Sequence, residues 1–258
     1  MTNAQSACGI SAVVITHNEA DRIEACIASL RFCDEVLVVD SHSSDATREL
    51  AGAAGARVIE RDWPGYRSQK EFAIRAANYD WVLCLDADER ITPALRSEIE
   101  RLRATQFPIH AGWDMPFLLN YFGKFLRHGL TYPDRHLRLV DRRRGGWAGK
   151  EIHEHLQVTG SVGHLRGDIE HHAYRGLNHQ LTKLERYAEL MARELHARGK
   201  RAGIGKILLR PCWRFFSGYV LKLGLLDGWR GLVLSLVEAN YVRQKYLKLF
   251  LLKRGLPL

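Results

Sequence analysis

Residues 81–89, Trp-Val-Leu-Cys-Leu-Asp-Ala-Asp-Glu, restrict more than any other stretch what this chain can fold into. Trp81 to Leu85 is an unbroken apolar run with one cysteine, the length and character of a strand buried on both faces, as in a parallel sheet. Three carboxylates follow at once, with only Ala87 between the first two. A strand that ends in acids sets them at the carboxyl edge of its sheet, where open α/β folds bind ligands. Asp86 and Asp88 are suited to hold one hard divalent cation, whose other positions go to water and substrate phosphates. Taken alone, Asp-Ala-Asp is a weak motif, and a plainer account is favoured at this point. The acids merely precede a helix, because Thr92-Pro93 reads as an N-cap followed by the first helical position.

The neighbouring segments bear on that choice. Residues 11–16, 35–40 and 57–60 read as three further strands, and helical patterns separate them. Asn18, with Asp21 three residues on, reads as the N-cap of a helix carrying Ile23, Cys26, Ile27 and Leu30 on one face. A short Ala-rich helix runs to about Ala54 and closes at Gly55. Trp63-Pro64-Gly65 turns the chain into a helix that begins around Ser68-Gln69-Lys70, and another helix follows from Pro93 to about Ala104. Strands and helices alternating at this spacing imply βαβ units and a parallel sheet. Right-handed crossovers then bring Thr16-His17-Asn18-Glu19, Asp40-Ser41 and Asp86-Ala87-Asp88 to one sheet edge. No Gly-x-Gly-x-x-Gly follows the first strand and no Gly-x-x-x-x-Gly-Lys-Ser/Thr loop occurs, which disfavours dinucleotide oxidoreductases and excludes P-loop enzymes. A nucleotidyltransferase would want a Gly-rich basic loop at Thr16 to Asp21, and none is there.

Beyond about Gln106 the rhythm changes. Residues 113–117 and 135–140 look like strands, and residues 147–174, rich in Gly and His, suit short strands and functional loops. Residues 177–198 form a helical pattern with Leu181, Leu184, Tyr187, Ala188, Met191 and Leu195 along one stripe. The formal charge of +9 is concentrated at the end: from Lys206 on there are ten Lys or Arg against Asp227 and Glu238. Leucines and aromatics interleave with those basic residues, in runs shorter than the roughly 18 apolar residues a spanning helix needs. Such a tail fits helices lying in a membrane interface, or else a pair of helices packed on the core with basic residues at the rim. It offers no economical way to track phosphates or read bases, so nucleic acid is not the expected partner. Five cysteines without Cys-x-x-Cys spacing, three of them (Cys26, Cys33, Cys84) inside apolar segments, read as buried thiols of a reducing compartment. No secretory signal pattern is seen at the start.

Val13-Val14-Ile15-Thr16-His17-Asn18-Glu19, Val38-Val39-Asp40-Ser41 and Leu85-Asp86-Ala87-Asp88-Glu89 together resemble the inverting glycosyltransferases of family 2, with the GT-A fold. Gln69-Lys70 through Trp81-Val82 and the later His153-Glu154 are similar to the bacterial lipopolysaccharide core enzymes that add a hexose to inner-core heptose. The resemblance spans nearly the whole chain. It implies a Rossmann-like, mostly parallel sheet with helices on both faces and a helical C-terminal extension. It divides the chain into a nucleotide-sugar-binding half (1–105), an acceptor-binding, catalytic half (106–176) and a basic amphipathic, membrane-associated extension (177–258).

Position by position, the resemblance implies that Thr16, Asn18 and Glu19 line the nucleotide pocket and that Asp40 contacts base or ribose. Lys70 falls near the diphosphate. Asp86-Ala87-Asp88 matches the metal motif, with Asp88 the direct ligand and Asp86 nearer the ribose. The expected ligands are Mg²⁺ or Mn²⁺ and a nucleotide sugar, UDP-hexose foremost, with the lipid A-core oligosaccharide as acceptor. The expected location is the inner face of the cytoplasmic membrane. Loss of a nucleoside diphosphate builds charge that a cation offsets. The attacking hydroxyl needs a general base, a role assigned to Glu154. His153, Glu154, His155, His171 and His172 would otherwise make a metal cluster or a solvated face, although the zinc-protease His-Glu-x-x-His spacing is absent. His171 is read as a structural histidine or as a late metal or diphosphate contact. Arg138, Arg142, Arg143 and Arg144 would steer a phosphorylated acceptor or simply form a solvated turn. His17 and Glu89 receive no role. Other readings are a different acceptor (polyprenyl-linked glycan, polysaccharide or protein) and a non-catalytic membrane adaptor that keeps the fold.

Overall fold

The computed structural model describes residues 8–107, 109–149 and 154–258. These fall into two compact units: residues up to Phe117 together with Asp134–His171, and Leu118–Pro133 together with His172–Leu258. The segment 106–176 is thus shared between them, with residues 118–133 and 172–176 grouped with the C-terminal helices.

In the first unit, β1 (Ile10–Thr16), β2 (Glu35–Asp40), β3 (Arg57–Glu60) and β4 (Trp81–Asp86) form the parallel portion of the sheet, in the order β3-β2-β1-β4. Past β4 the pairing turns antiparallel, through β8 (Asp134–Asp141) to β6 (Gly112–Tyr121), and the sheet ends with β12 (Ile169–His171) and β5 (Glu89–Ile91). β1, β2 and β4 are buried on both faces because apolar residues occupy consecutive positions, as a parallel sheet covered on two sides requires, whereas β3 is a partly exposed edge strand. Ala12, Val14, Val38, Leu83 and Leu85 pack on one side, with Ile23, Cys26 and Ile27 of α1 (Ile23–Ser29) and Leu95 and Ile99 of α4 (Pro93–Ala104). Val13, Leu37, Val39, Val82 and Cys84 pack on the other, against Ala73 and Ile74 of α3 (Tyr66–Ala76). There the ribbon of β9 (Gly145–Ala148) and β10 (His155–Val158) adds Leu156. Helices therefore cover both faces. α4 begins as its sequence dictates: Thr92 Oγ1 accepts the Leu95 N–H at 3.3 Å and Pro93 opens the helix, a cap worth about 1 kcal/mol.

Three expectations are corrected here. Asn18 does not cap α1, which starts at Ile23; its φ is +56°, and its Oδ1 instead accepts the Ser44 N–H at 2.8 Å across the neighbouring loop. The acids after β4 do not simply lead into a helix, because Glu89 opens β5 before α4 begins. Cys33 is half-buried, while Cys26 and Cys84 are buried.

In the second unit, α5 (Leu177–Ala197), α6 (Ile204–Phe216) and α7 (Trp229–Leu252) surround a core of Leu119, Tyr121, Leu126, Ala173 and Leu234, with Ala192 and Leu249 in a second cluster. The buried side of α5 is Gln180, Ala188 and Ala192, and Leu181 and Tyr187 are exposed. The expected leucine stripe is displaced because small residues let α7 approach closely, and because Gln180 Oε1 accepts the Tyr121 hydroxyl at 2.7 Å. Where α7 starts, a Cβ on Gly231 would meet the Gly224 carbonyl oxygen at 1.9 Å, so only glycine admits this crossing. Among the described residues, no helix is long and apolar enough to cross a membrane.

Candidate active site

The loops after β1 and β2 are laced together by side chains that a helix would otherwise use as caps. Asp40 is fully buried and accepts from Thr16 Oγ1 at 2.9 Å, the Ser43 N–H at 2.8 Å and Ser43 Oγ at 2.5 Å. Ser43 Oγ in turn accepts the Asn18 N–H at 2.9 Å, and Thr47 Oγ1 accepts the Glu19 N–H at 2.8 Å. His17 Nδ1 lies 2.9 Å from the Ser41 carbonyl oxygen, which ties it to the same loop. Thr16, Asn18, Glu19 and Asp40 therefore do come together. Asp40 acts on its own loop, however, and its carboxylate presents no exposed surface.

The end of β4 is built on charge. Glu89 is 1% exposed; its Oε2 accepts the Asp86 backbone N–H at 3.0 Å, and its Oε1 accepts from Arg138 Nη2 at 2.8 Å. Arg138 comes from β8, lies over the Phe117 ring at 4.9 Å, and reaches Asp86 Oδ2 at 3.7 Å. Lys70, from α3, sets its Nζ 3.2 Å from Asp86 Oδ1, 3.3 Å from Glu154 Oε1 and 4.6 Å from the centre of the Trp147 ring. Burial opposes the charged form of Asp86, but Lys70 and Arg138 outweigh it and hold its pKa below the ordinary value. Burial likewise works against charged Lys70, and the carboxylates of Asp86, Glu154 and Glu89 carry its pKa upward overall. For Glu89 burial prevails, helped by Asp86 and Asp88 against Arg138 and His171, and its carboxyl is pushed up to about 7.

Asp88 faces a different set of partners. β12 runs antiparallel to β5 with His171 opposite Glu89, which sets His171 Nε2 3.6 Å from Asp88 Oδ2. Asp88, Glu89 and His171 each offer a ligand atom, all within 4.8 Å of one another. Both Glu89 oxygens already accept hydrogen bonds, which leaves Asp88 and His171 as the pair suited to a divalent cation. Arg22, itself buried, places Nη1 3.6 Å from Asp88 Oδ2. Asp86 is not in this group, because its oxygens face Lys70 and Arg138.

Sequence reasoning left Glu89, Arg22 and Trp147 without roles, although a lone arginine inside the apolar run Leu137-Arg138-Leu139 signalled a buried ion pair. Three of the four arginines, Arg138, Arg142 and Arg143, have internal partners. Arg138 serves Glu89. Arg142 donates to the carbonyls of Arg75 and Ala77 at the end of α3 and pairs with Asp80. Arg143 is held by Asp141 and Asp80. His153 lies outside the described residues, and among the described residues the only member of the His153-Glu154-His155, His171-His172 alternative in a cluster able to hold a metal is His171, beside Asp88.

The family model described as "Glycosyl transferase family 2" matches residues 11–113, the span that supplies β1 to β4 and their acidic ends. The lipopolysaccharide core biosynthesis glycosyltransferase LpsC of Rhizobium meliloti is 32% identical, over 89% of this chain and 86% of its own length. The chain belongs to glycosyltransferase family 2. An uncharacterized glycosyltransferase of Rickettsia felis is 28% identical over 95% of this chain and 91% of its own. Among solved structures, the mannosyltransferase PcManGT of Pyrobaculum calidifontis, in complex with GDP-Man and Mn²⁺, superposes with a TM-score of 0.52 at 15% identity. It covers 93% of this chain and 86% of the mannosyltransferase chain, so this family 2 member has the GT-A fold. It is a glycosyltransferase similar to LpsC.

Proposed function

We propose that this glycosyltransferase moves a hexose, glucose foremost, from a UDP-sugar to the heptose of the lipopolysaccharide inner core, with inversion and with the help of a divalent cation. The observation that carries the reading is the meeting of Lys70 with Asp86 and Glu154, on strand ends that also bear Asp88 and His171. The acceptor rests on the likeness to LpsC.

Asp88 and His171 would hold the Mg²⁺ or Mn²⁺, which when bound offsets charge on the departing diphosphate. Thr16, Asn18 and Glu19 form the wall of the nucleotide pocket, and buried Asp40 fixes the loop that carries it. Asp86, whose carboxylate is held by Lys70 and Arg138, takes the ribose. Lys70 stands between donor and base, ready to meet the diphosphate in exchange for its present carboxylate partners. Glu154 takes the acceptor proton as the hydroxyl attacks the anomeric carbon in line with the departing phosphate. Residues 1–105 supply the donor site, 106–176 the acceptor site and 177–258 the attachment to the inner face of the cytoplasmic membrane, where the lipid-borne acceptor lies.

The test is a screen of radiolabelled UDP- and GDP-sugars against heptose-terminated core lipopolysaccharide, polyprenyl-linked glycans and a protein extract, with and without EDTA. Label from UDP-glucose entering core lipopolysaccharide, and lost with EDTA, is the expected result. Transfer only to another acceptor would overturn the acceptor assignment. Silence with every uridine and guanosine nucleotide would favour a non-catalytic adaptor.

A further inference from the structure

The second unit exposes apolar surface where a soluble helix would carry polar residues. On α6, Ile204 is 66% exposed, Leu208 60%, Leu209 70% and Trp213 58%, with Phe216 continuing the same side. At 100° per residue these positions spread over one broad face of the helix. Pro211, buried, falls just outside that arc, at its edge next to Ile204. Cys212 is exposed among the apolar residues, and Lys206 and Arg210, also exposed, border them. The chain then widens into a π turn at Ser217–Leu221 and tightens into a 3₁₀ turn at Gly224–Asp227 before α7, and this stretch exposes more leucines, Leu221, Leu223 and Leu226 among them, beside exposed Lys222. Nearly half of the large apolar side chains exposed among the described residues fall between Ile204 and Trp229. Monomer surfaces rarely leave such a run open to water without a partner.

The charge around this face decides which partner. Between Ile204 and Arg230 the only acidic residue is Asp227, which is buried and faces the His128 N–H at 3.0 Å. Arg214, on the side of α6 away from this face, is neutralised by Glu238 at 2.7 Å, whereas Lys206, Arg210 and Lys222 have exposed side chains. A second copy would oppose the same basic rim to itself, and like charges across an interface disfavour that pairing. An anionic bilayer supplies the complement: headgroup phosphates for the lysines and arginine, and acyl chains for the leucines. Trp213 and Trp229 suit the boundary between the two. Among the described residues no helix is long and apolar enough to cross a bilayer, which fits contact at its surface.

We infer that the outward face of α6 and the turn after it, centred on Leu208, Leu209 and Trp213, is a docking surface that inserts into the headgroup layer of an anionic membrane. The inference deepens the membrane attachment proposed above by naming the side chains that make it. It is read without donor or acceptor, so it and the proposed reaction can fail separately.

The experiment is flotation of the full chain with vesicles of phosphatidylcholine alone and of phosphatidylcholine with phosphatidylglycerol. The chain should float with the anionic vesicles and at least tenfold less with the neutral ones. Leu208→Gln/Leu209→Gln/Trp213→Gln should lose at least tenfold of that binding. Lys206→Glu/Arg210→Glu should lose the preference for anionic lipid. An environment-sensitive fluorophore on Cys212, in a chain carrying Cys8→Ser and Cys33→Ser, should shift to the blue on vesicle binding. Circular dichroism checks that each variant is folded. A folded triple variant that floats like the unsubstituted chain overturns the inference. So does a chain that ignores both vesicles, or one that sediments as a dimer which the triple variant dissociates.

Discussion

Arg138 donates from Nη2 to Glu89 Oε1 at 2.8 Å, while Glu89 Oε2 accepts the backbone N–H of Asp86 at 3.0 Å. This one buried pair links β8 to the acidic end of β4 and fixes the turn on which Asp86 and Asp88 stand. Removing one partner of a buried ion pair leaves an uncompensated charge and costs about 3–5 kcal/mol, whereas replacing both by apolar or neutral groups is often tolerated. Arg138→Met should therefore destabilise the chain by about that amount. Arg138→Met/Glu89→Gln should recover most of it. Urea unfolding of the two variants measures the difference, and equal loss in both would show that the pair is not the unit that matters.

Acid stability has a separate source. Glu35 accepts from Ser11 Oγ at 2.5 Å, the Asn78 N–H at 2.7 Å and Arg57 Nη2 at 2.6 Å. Burial pushes its pKa up, but the Ser11, Asn78 and Arg57 donors outweigh it, and the net direction is below the ordinary value of 4.5. A carboxyl with a depressed folded-state pKa stabilises in full above its unfolded-state value, and the stabilisation disappears as the pH falls through the folded-state value. Glu35→Gln should thus cost about 1–3 kcal/mol at pH 7, with the difference from the unsubstituted chain narrowing as the pH drops below 4.5. Urea unfolding at pH 7 and pH 3.5 checks it; a difference that stays constant would remove Glu35 from the account.

β1, β2 and β4 were legible because each carries a run of apolar residues, and the sheet edge because those three runs end in polar residues at Thr16, Asp40 and Asp86. What was not legible is non-local. Asn18 has the chemistry of a cap, but its oxygen serves Ser44, 26 residues away, so local spacing could not show it. His171 reaches Asp88 only because β12 pairs with β5, a register that no motif encodes. The buried side of α5 follows Ala188, Ala192 and Gln180, because close helix packing selects small side chains where hydropathy alone selects leucine.

The pairing of Asp88 with His171 predicts a shared ligand role. Asp88→Asn should lower transfer by at least a hundredfold, the order expected when a centre that stabilises developing charge is lost. His171→Ala should do less, and excess Mn²⁺ should partly restore it, since one carboxylate ligand remains. Calorimetric titration of Mn²⁺ in the presence of UDP should show weaker binding in both variants. Unchanged Mn²⁺ affinity in His171→Ala would return that residue to a structural role.

Lys70 and Glu154 should separate cleanly in kinetics. Glu154 Oε1 lies 3.3 Å from Lys70 Nζ, whereas Asp88 has His171 and Arg22 as partners. If Glu154 removes the acceptor proton, Glu154→Gln keeps the shape and loses the base, so kcat should fall by about 10²–10⁴ with the affinity for UDP unchanged. Lys70→Met removes a cation poised for the diphosphate and should instead raise the donor KM and weaken UDP binding, with loss of kcat to a smaller degree. Steady-state kinetics with varied donor, set beside UDP calorimetry for each variant, gives both numbers. Full turnover in Glu154→Gln would move the base elsewhere, and an unchanged UDP affinity in Lys70→Met would confine Lys70 to holding Asp86 and Glu154 in place.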